Sequence, residues 1–428
     1  MYQAPRTLLI SLFFLLALAL ESCSTARGLN REFDRALMEP LASGQHTGIL
    51  LVDAQTGDTL FTHNAKKYFT PASNTKLFTF YAALKTLPAR IPALKYGFRG
   101  DTLLVAGAGD PSALHPEFMD RTALKFLRRH TLIALANRNL EDAPWGPGWA
   151  WDDYDQYYSA PRSAFPVYGN VLWMSAEADS LRVRPELLRD SLQPRPGGFA
   201  RAPERNWFYR IPEAGDTLEI PIQTSPEVER QLWQAAIGKP VTPTDLSAGD
   251  RLQTLPGMPT DTLLKRMMTY SDNFVAEQLM LAVSGTLGDT LGFVRARDHI
   301  LQTYLPGLPQ TPRWVDGSGL SRYNLCTPES LVYLLNRLYQ ELPEARLFDL
   351  LAQGGRPGTL KDWYADAPQP YVFGKTGSLN NNHNLSGYLR TRSGRTVIFS
   401  FMNNNYVAPS VSVKQRMQRL LIWVRDHY

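Results

Sequence analysis

The amino-acid pattern predicts an α+β fold, and three observations carry that reading: a hairpin and helix at each end of the chain, a middle segment poor in helical spacing, and a helical stretch after it. Near the start, "LNREFDRALMEPLA" (29 to 42) repeats its apolar residues at helical spacing, and "TGILLVDAQTGDTLFTHNA" (47 to 65) reads as two strands around a Thr56-Gly57 turn. Near the end, "NLSGYLRTRSGRTVIFSFMNNN" (384 to 405) forms a second hairpin turning at Ser393-Gly394. It leads into the amphipathic helix "VSVKQRMQRLLIWVRDHY" (411 to 428). Hairpins build antiparallel sheets that bury a face under helices, so the two ends are expected to share one sheet covered by the terminal helices.

Between about 95 and 224 the chain changes character. Pro, Gly, Trp and Tyr crowd "APWGPGWAWDDYDQYYSAPRSAFPVYGN" (143 to 170), and short alternating runs such as "LRVRPE" and "DTLEIPIQT" suggest strands. An inserted β-rich module of one or two small domains is expected there, between a first part of the main domain (23 to 94) and a second part (225 to 428). The aromatic residues are read as its core rather than as a sugar-binding surface. From 225, "SPEVERQLWQAAIG" and "DTLLKRMM" return to helical spacing.

The 428 residues are 44% hydrophobic and 20% charged, ordinary globular material with a formal charge of +5. The basic residues are scattered and do not interleave with aromatics, so no nucleic-acid partner is expected. Residues 1 to 22 have the composition of a signal peptide: Arg6 precedes "LLISLFFLLALAL", an uncharged run too short to span a membrane. Export to the periplasm is expected. "LESC" (20 to 23) resembles a bacterial lipobox, which would make Cys23 a lipidated N-terminus and that lipid the only membrane attachment; ordinary cleavage near Ser24 is the alternative. The other cysteine is Cys326, leaving a lipidated Cys23 no disulfide partner.

The chemistry is expected at "TPASNTKLFTFYAAL" (70 to 84), a stretch that reads as a buried helix yet carries Ser73 and Lys76 three apart. Positions i and i+3 share a helix face. Pro71 sets Ser73 at or near the helix N-terminus, where free N–H groups point outward. A lysine pressed into an apolar pocket beside other cations loses affinity for its proton and becomes a base able to activate a serine it touches. A capping serine beside a snorkelling lysine is the plainer reading, and S-x-x-K alone arises by chance about once in a chain of this length. Two further triplets decide between them: Ser271-Asp272-Asn273, and Lys375-Thr376-Gly377 followed by Ser378. S-x-x-K, S-D-N and K-T-G, in that order, form the signature of penicillin-binding proteins and serine β-lactamases.

Longer stretches carry the resemblance further. "PASNTK", "MMTYSDNFVAEQL", "VDGSGLSRYNLCTPESL", "GTLKDW" and "GKTGSLNNNHNLSGYLRTRSG", with "GAGDPSAL" (107 to 114) and "PGWAWDDYDQYYSAPRSAFPVYGN" (147 to 170), together resemble the D-alanyl-D-alanine carboxypeptidases of the low-molecular-mass class C penicillin-binding proteins. That resemblance implies a transpeptidase-like domain interrupted by insertions, peptidoglycan stem peptides as substrates and acylation by β-lactam antibiotics. It also implies the roles. Ser73 would be the nucleophile and Lys76 its base; Ser271 and Lys375 would relay the proton to the leaving amine and keep Lys76 partly neutral. Asn273 would bind the substrate backbone, Lys375 and Thr376 the terminal carboxylate, Gly377 would leave room, and the Ser378 and Ser73 backbone N–H groups would form the oxyanion hole on an edge strand. The segment "PARIPALKYGFRGDTLLV" is shorter than usual in that family, and Arg356-Pro357 is a variation without an evident meaning.

No cofactor or metal is expected: the seven histidines form no close-spaced ligand pair and no H-E-x-x-H. A G-x-S-x-G elbow is absent, since "DGSGL" (316 to 320) ends wrongly, and Ser318 is expected to shape a turn. A serine β-lactamase is the nearest alternative, disfavoured because no E-x-x-x-N falls between Ser73 and Ser271. A non-catalytic penicillin sensor or scaffold is the other.

Overall fold

The computed structural model describes residues 27–39, 44–178, 180–366 and 368–428. The expected signal segment and Cys23 lie outside the described residues. The chain divides into two compact units. One comprises the described residues up to Pro71 with Pro309–Pro312 and those of Leu325–Tyr428; the other is made of the described residues of Ala72–Leu308 with Arg313–Asn324.

The first unit is the antiparallel sheet that the two hairpins predict. Its six strands run in the order Ala352–Gln353, Val372–Leu379, Asn382–Arg390, Thr396–Asn404, His46–Asp53, Thr59–His63. The first long strand pairs with the last, His46 opposite Asn404 through Asp53 opposite Val397. The turns use the predicted glycines, Gly57 and Gly394, both at positive φ (78° and 88°), where an L side chain is disfavoured. Because strand side chains alternate, Ile49, Leu51, Leu385, Leu389, Val397 and Phe399 share one face. They pack with Leu29 and Phe33 of the 27–38 helix and with Val413, Met417, Leu420 and Val424 of the Ser410–His427 helix. The opposite face meets the Pro328–Glu341 helix, where the Tyr388 hydroxyl donates to the Leu335 carbonyl. Gly48 lies on that face with no room for more: a Cβ would sit 2.4 Å from the Phe69 ring.

In the second unit, a five-stranded sheet runs Gln253–Pro259, Arg90–Arg99, Thr102–Ala106, Ile133–Ala136, Thr242–Pro243. Its last two pairings are parallel, joined through the short helix Thr122–Leu127 and the helix Pro226–Ile237. A three-stranded antiparallel sheet is made by Ser180–Arg184, Val171–Glu177 and Thr217–Pro221. Both sheets feed one apolar core containing Leu94, Val105, Leu135, Phe165, Leu172, Ile220 and Trp233. Beside these stand the helices Lys76–Thr86, Thr260–Tyr270, Asn273–Leu287 and Phe293–Thr303. No helix among the described residues is long and apolar enough to cross a membrane.

Candidate active site

Ser73 sits in a 3-10 turn, Ala72–Thr75, that runs directly into the helix Lys76–Thr86. In 3-10 geometry residues i and i+3 eclipse, so the turn sets Ser73 over Lys76 more directly than the α-helix expected from sequence. Ala72 holds a left-handed backbone (φ 49°), a strained state for a residue with a Cβ. Its carbonyl accepts the Thr75 hydroxyl at 2.9 Å. Gly319, at φ 83°, approaches that carbonyl so closely that a Cβ would lie 1.9 Å from it. From Lys76 to Ala83 every residue is buried, and Ser73 alone in the turn is half-exposed.

Lys76 is fully buried, and its Nζ has three neighbours: Ser73 Oγ at 3.1 Å, Asn273 Oδ1 at 2.6 Å and the Ser318 carbonyl at 2.6 Å. Those three match the three N–H donors of an ammonium. Burial lowers its pKa to about 8 from 10.5, while Asp316, Glu277 and Asp272 oppose the shift. This corrects the sequence expectation in one respect, because the charges acting on it are carboxylates, and desolvation rather than cationic company weakens its hold on the proton. Deprotonation leaves two N–H groups and a lone pair. Asn273 Oδ1 and the Ser318 carbonyl can only accept, so they take the two N–H groups; the lone pair falls to Ser73, the one neighbour that can donate.

Asn273 begins the helix Asn273–Leu287, capped by Asp272, whose side chain accepts from the Val275 N–H. Its Oδ1 faces Lys76 and its Nδ2 donates to the Tyr158 carbonyl at 2.9 Å. Ser271, two residues earlier, occupies the left-handed position (φ 63°) that ends the preceding helix and is half-buried. Arg266 braces this junction through Asp272 (3.2 Å) and Glu117 (2.9 Å).

Four side chains that the sequence reading passed over hold the Ser318 carbonyl in place. Glu277 accepts from the Ser318 N–H at 2.7 Å, and its other oxygen accepts from Arg162 Nε at 2.8 Å. Arg162 also reaches Asp142, which accepts from the Phe293 N–H. Asp316 accepts from the N–H groups of Gly319 and Ser321, from Asn324 Nδ2 and from the Trp149 indole, which fixes the loop on both sides of Ser318. Burial, with Glu277 nearby, raises the Asp316 pKa. Ser318 does shape a turn, as expected: its hydroxyl accepts from the Leu320 N–H at 3.2 Å. The signal available in the sequence was faint: Glu277 and Gln278 interrupt the otherwise apolar "FVAEQLMLAV".

Lys375, Thr376, Gly377 and Ser378 belong to the other unit, on the strand Val372–Leu379. The edge expected there begins only at Lys375, since the short strand Ala352–Gln353 covers Phe373 and Gly374. Lys375 is fully buried, its Nζ donating to the Thr376 carbonyl, and Ser378 is exposed, with its hydroxyl 2.8 Å from His383 Nδ1. Burial, helped by Lys414, drives the His383 pKa down to about 3, so that ring is neutral in working conditions. On the same sheet Asn384 donates to the Thr70 and Pro71 carbonyls and Asn404 accepts from the Thr70 N–H, fixing the chain just before Ser73.

A mixed α+β architecture holding a serine against a buried lysine defines a serine-type acyl-transfer peptidase of the penicillin-binding class. The chain belongs to the D-Ala-D-Ala carboxypeptidase 3 (S13) family, whose model it matches over residues 29–187 and 227–425. It is 23% identical to D-alanyl-D-alanine carboxypeptidase DacB of Haemophilus influenzae, over 92% of each chain. It is 27% identical to Carboxypeptidase DacB of Mycolicibacterium smegmatis, over 89% of this chain and 81% of that one. In three dimensions it resembles the crystal structure of penicillin binding protein 4 (dacB) from Haemophilus influenzae, with a TM-score of 0.71, 18% identity, and coverage of 94% and 99%. A looser likeness joins it to the Bd0816 predatory endopeptidase of Bdellovibrio bacteriovorus, with a TM-score of 0.52, 17% identity, and coverage of 89% and 94%.

Proposed function

We propose that the protein is a serine-type D-Ala-D-Ala carboxypeptidase that acts on peptidoglycan stem peptides through an acyl-enzyme on Ser73. The observation that carries the reading is the hydrogen-bond arrangement of Lys76, whose neutral form keeps its lone pair for the Ser73 hydroxyl. Ser73 Oγ attacks the carbonyl carbon of the penultimate D-alanine as Lys76 takes its proton. The C–N bond breaks, the proton passes to the departing nitrogen, and water then hydrolyses the ester. Ser271 and Lys375 are assigned to the relay and Asn273 to the peptide backbone of the substrate. Thr376 with Lys375 is assigned to the terminal carboxylate, Gly377 to clearance, and the N–H of Ser378 with that of Ser73 to the oxyanion. These roles rest on motif match. The same acylation applied to a cross-link, where the leaving amine belongs to a diamino acid, makes the enzyme an endopeptidase. A β-lactam would acylate Ser73 by the same attack.

Residues 1 to 22 are proposed as a signal segment delivering the protein to the periplasm, with Cys23 as the lipid attachment point; both rest on sequence composition. Residues 95 to 224 are proposed as an insertion within the catalytic domain.

The test is D-alanine release from an N-acyl-D-Ala-D-Ala peptide. The wild type is expected to release it, and Ser73→Ala to lose at least about 1,000-fold in kcat/KM. Stoichiometric penicillin adduct without D-alanine release would favour the sensor reading instead.

A further inference from the structure

A cavity of about 510 Å³, lined by none of the motif residues, opens between the segment 114 to 119, the Thr122–Leu127 helix and the strands Val171–Glu177 and Ser180–Arg184. That volume is in the range of small-ligand sites. Three guanidinium groups line it, from Arg121, Arg128 and Arg184. Arg128 spends one nitrogen on the Ala236 carbonyl. Neither Arg121 nor Arg184 has a carboxylate partner among the described residues; Arg184 Nη1 reaches the Met119 sulfur at 3.9 Å. The two acids in the wall are already paired, Glu117 with Arg266 and Glu186 with Arg189, so neither cancels the arginines. The cavity is therefore cationic by construction, with forked donors suited to carboxylates.

The remaining wall is apolar and ring-bearing. Trp173 and Tyr168 are half-buried, and the Arg184 guanidinium stands 5.5 Å from the Trp173 ring centre. Three wall residues with bulky side chains, Leu114 (φ 51°), Met119 (φ 49°) and Tyr168 (φ 60°), hold left-handed backbones. Backbones held in this sparsely populated region cluster at ligand-binding sites.

We propose that this cavity is an anion-recognising exosite for the glycopeptide portion of peptidoglycan. In it, Arg121 and Arg184 grip free carboxylates of the stem, while Trp173 and Tyr168 receive the C–H faces of sugar or peptide. The identity of the glycopeptide rests on the proposed function above; the anionic, ring-bearing chemistry rests on the cavity. The arrangement gives the enzyme purchase on a polymer at a point separate from the Ser73–Lys76 cluster.

The test uses the full chain carrying Ser73→Ala, which removes turnover, titrated calorimetrically with a disaccharide–tripeptide that bears free carboxylates and no D-alanine. Saturable binding is expected, weakened about tenfold or more by Arg121→Ala with Arg184→Ala. Neither arginine holds a carboxylate among the described residues, and an unchanged thermal melt verifies folding. In the otherwise wild-type enzyme, the same double substitution is expected to raise KM for high-molecular-mass peptidoglycan about tenfold at unchanged kcat, leaving a short N-acyl-D-Ala-D-Ala peptide cleaved at the wild-type rate. Glycopeptide binding unaffected by the double substitution overturns the proposal. Inorganic phosphate, as a second probe, separates the sources of negative charge: phosphate binding as tight as glycopeptide binding overturns the glycopeptide assignment. Failure of the wild type to cleave the short peptide would instead sink the catalytic reading, a result separate from the binding titration.

Discussion

The apolar face of the six-stranded sheet and the surroundings of Lys76 are equally buried, yet they are built from opposite materials. Under the terminal helices the sheet buries Ile49, Leu51, Val397 and Phe399 against Leu420 and its neighbours, with buried side-chain polarity gathered at one end, where Asn403 accepts from Arg416. Around Lys76 the chain instead buries an ammonium, the Arg162 guanidinium and the Glu277 and Asp316 carboxylates, each drawn into a hydrogen-bond network. Taking such charges from water costs several kcal/mol each, and pairing returns that cost only in good geometry. Apolar side chains would fill the same space more stably. The difference teaches where the fold gives up stability: at the buried lysine to which the proposed mechanism assigns the proton transfer.

Breaking the charged region is expected to have its largest effect on rate. Lys76→Met, close in volume but without a basic nitrogen, is expected to slow acylation of Ser73 about 1,000-fold, a general-base contribution read by stopped-flow mixing with a chromogenic β-lactam. In the apolar region the largest effect falls on stability. Phe399→Ala empties a site with no exposure and is expected to cost about 3–5 kcal/mol by denaturant titration, with kcat unchanged in the molecules that remain folded.

Glu277→Gln sharpens the contrast because it touches both quantities. The amide oxygen can keep the bond from the Ser318 N–H, but Arg162 loses a buried partner, at an expected cost of about 3 kcal/mol. The sign of the pH effect follows from the Glu277 charge, which raises the Lys76 pKa; removing it lets the proton leave more easily. The rate-limiting acidic limb of acylation is therefore expected to move to lower pH. A limb that stays in place would show that Glu277 acts on packing alone.

Much of this was legible in the sequence because it is local. Each hairpin announces itself by alternation and a glycine turn, and Ser73, Lys76 and Asn273 were marked by short motifs that the fold brings within hydrogen-bond reach. What stayed hidden is long-range. Arg162 and Glu277 lie 115 positions apart, and each alone reads as a solvated surface charge. Tyr158 contributes only a backbone carbonyl to Asn273, which no side-chain pattern reports. The parallel pairings of Leu103 with Ile133 and of Ala134 with Thr242 escaped for a related reason: each needs a crossover, and a single strand does not encode its partner's direction. The left-handed backbones at Leu114, Met119 and Tyr168 oppose local preference, so sequence reasoning passes over the cavity they shape.

In the proposed mechanism a desolvated Lys76 surrenders its proton near pH 8 and then receives that of Ser73. The direct measurement is the rate of benzylpenicillin acylation against pH, with the modified residue located by peptide mass mapping. The expected result is a single adduct on Ser73 forming with a half-maximal rate near pH 8, where Lys76 becomes neutral. A rate flat from about pH 6 to 10, or an adduct on another residue, would contradict it.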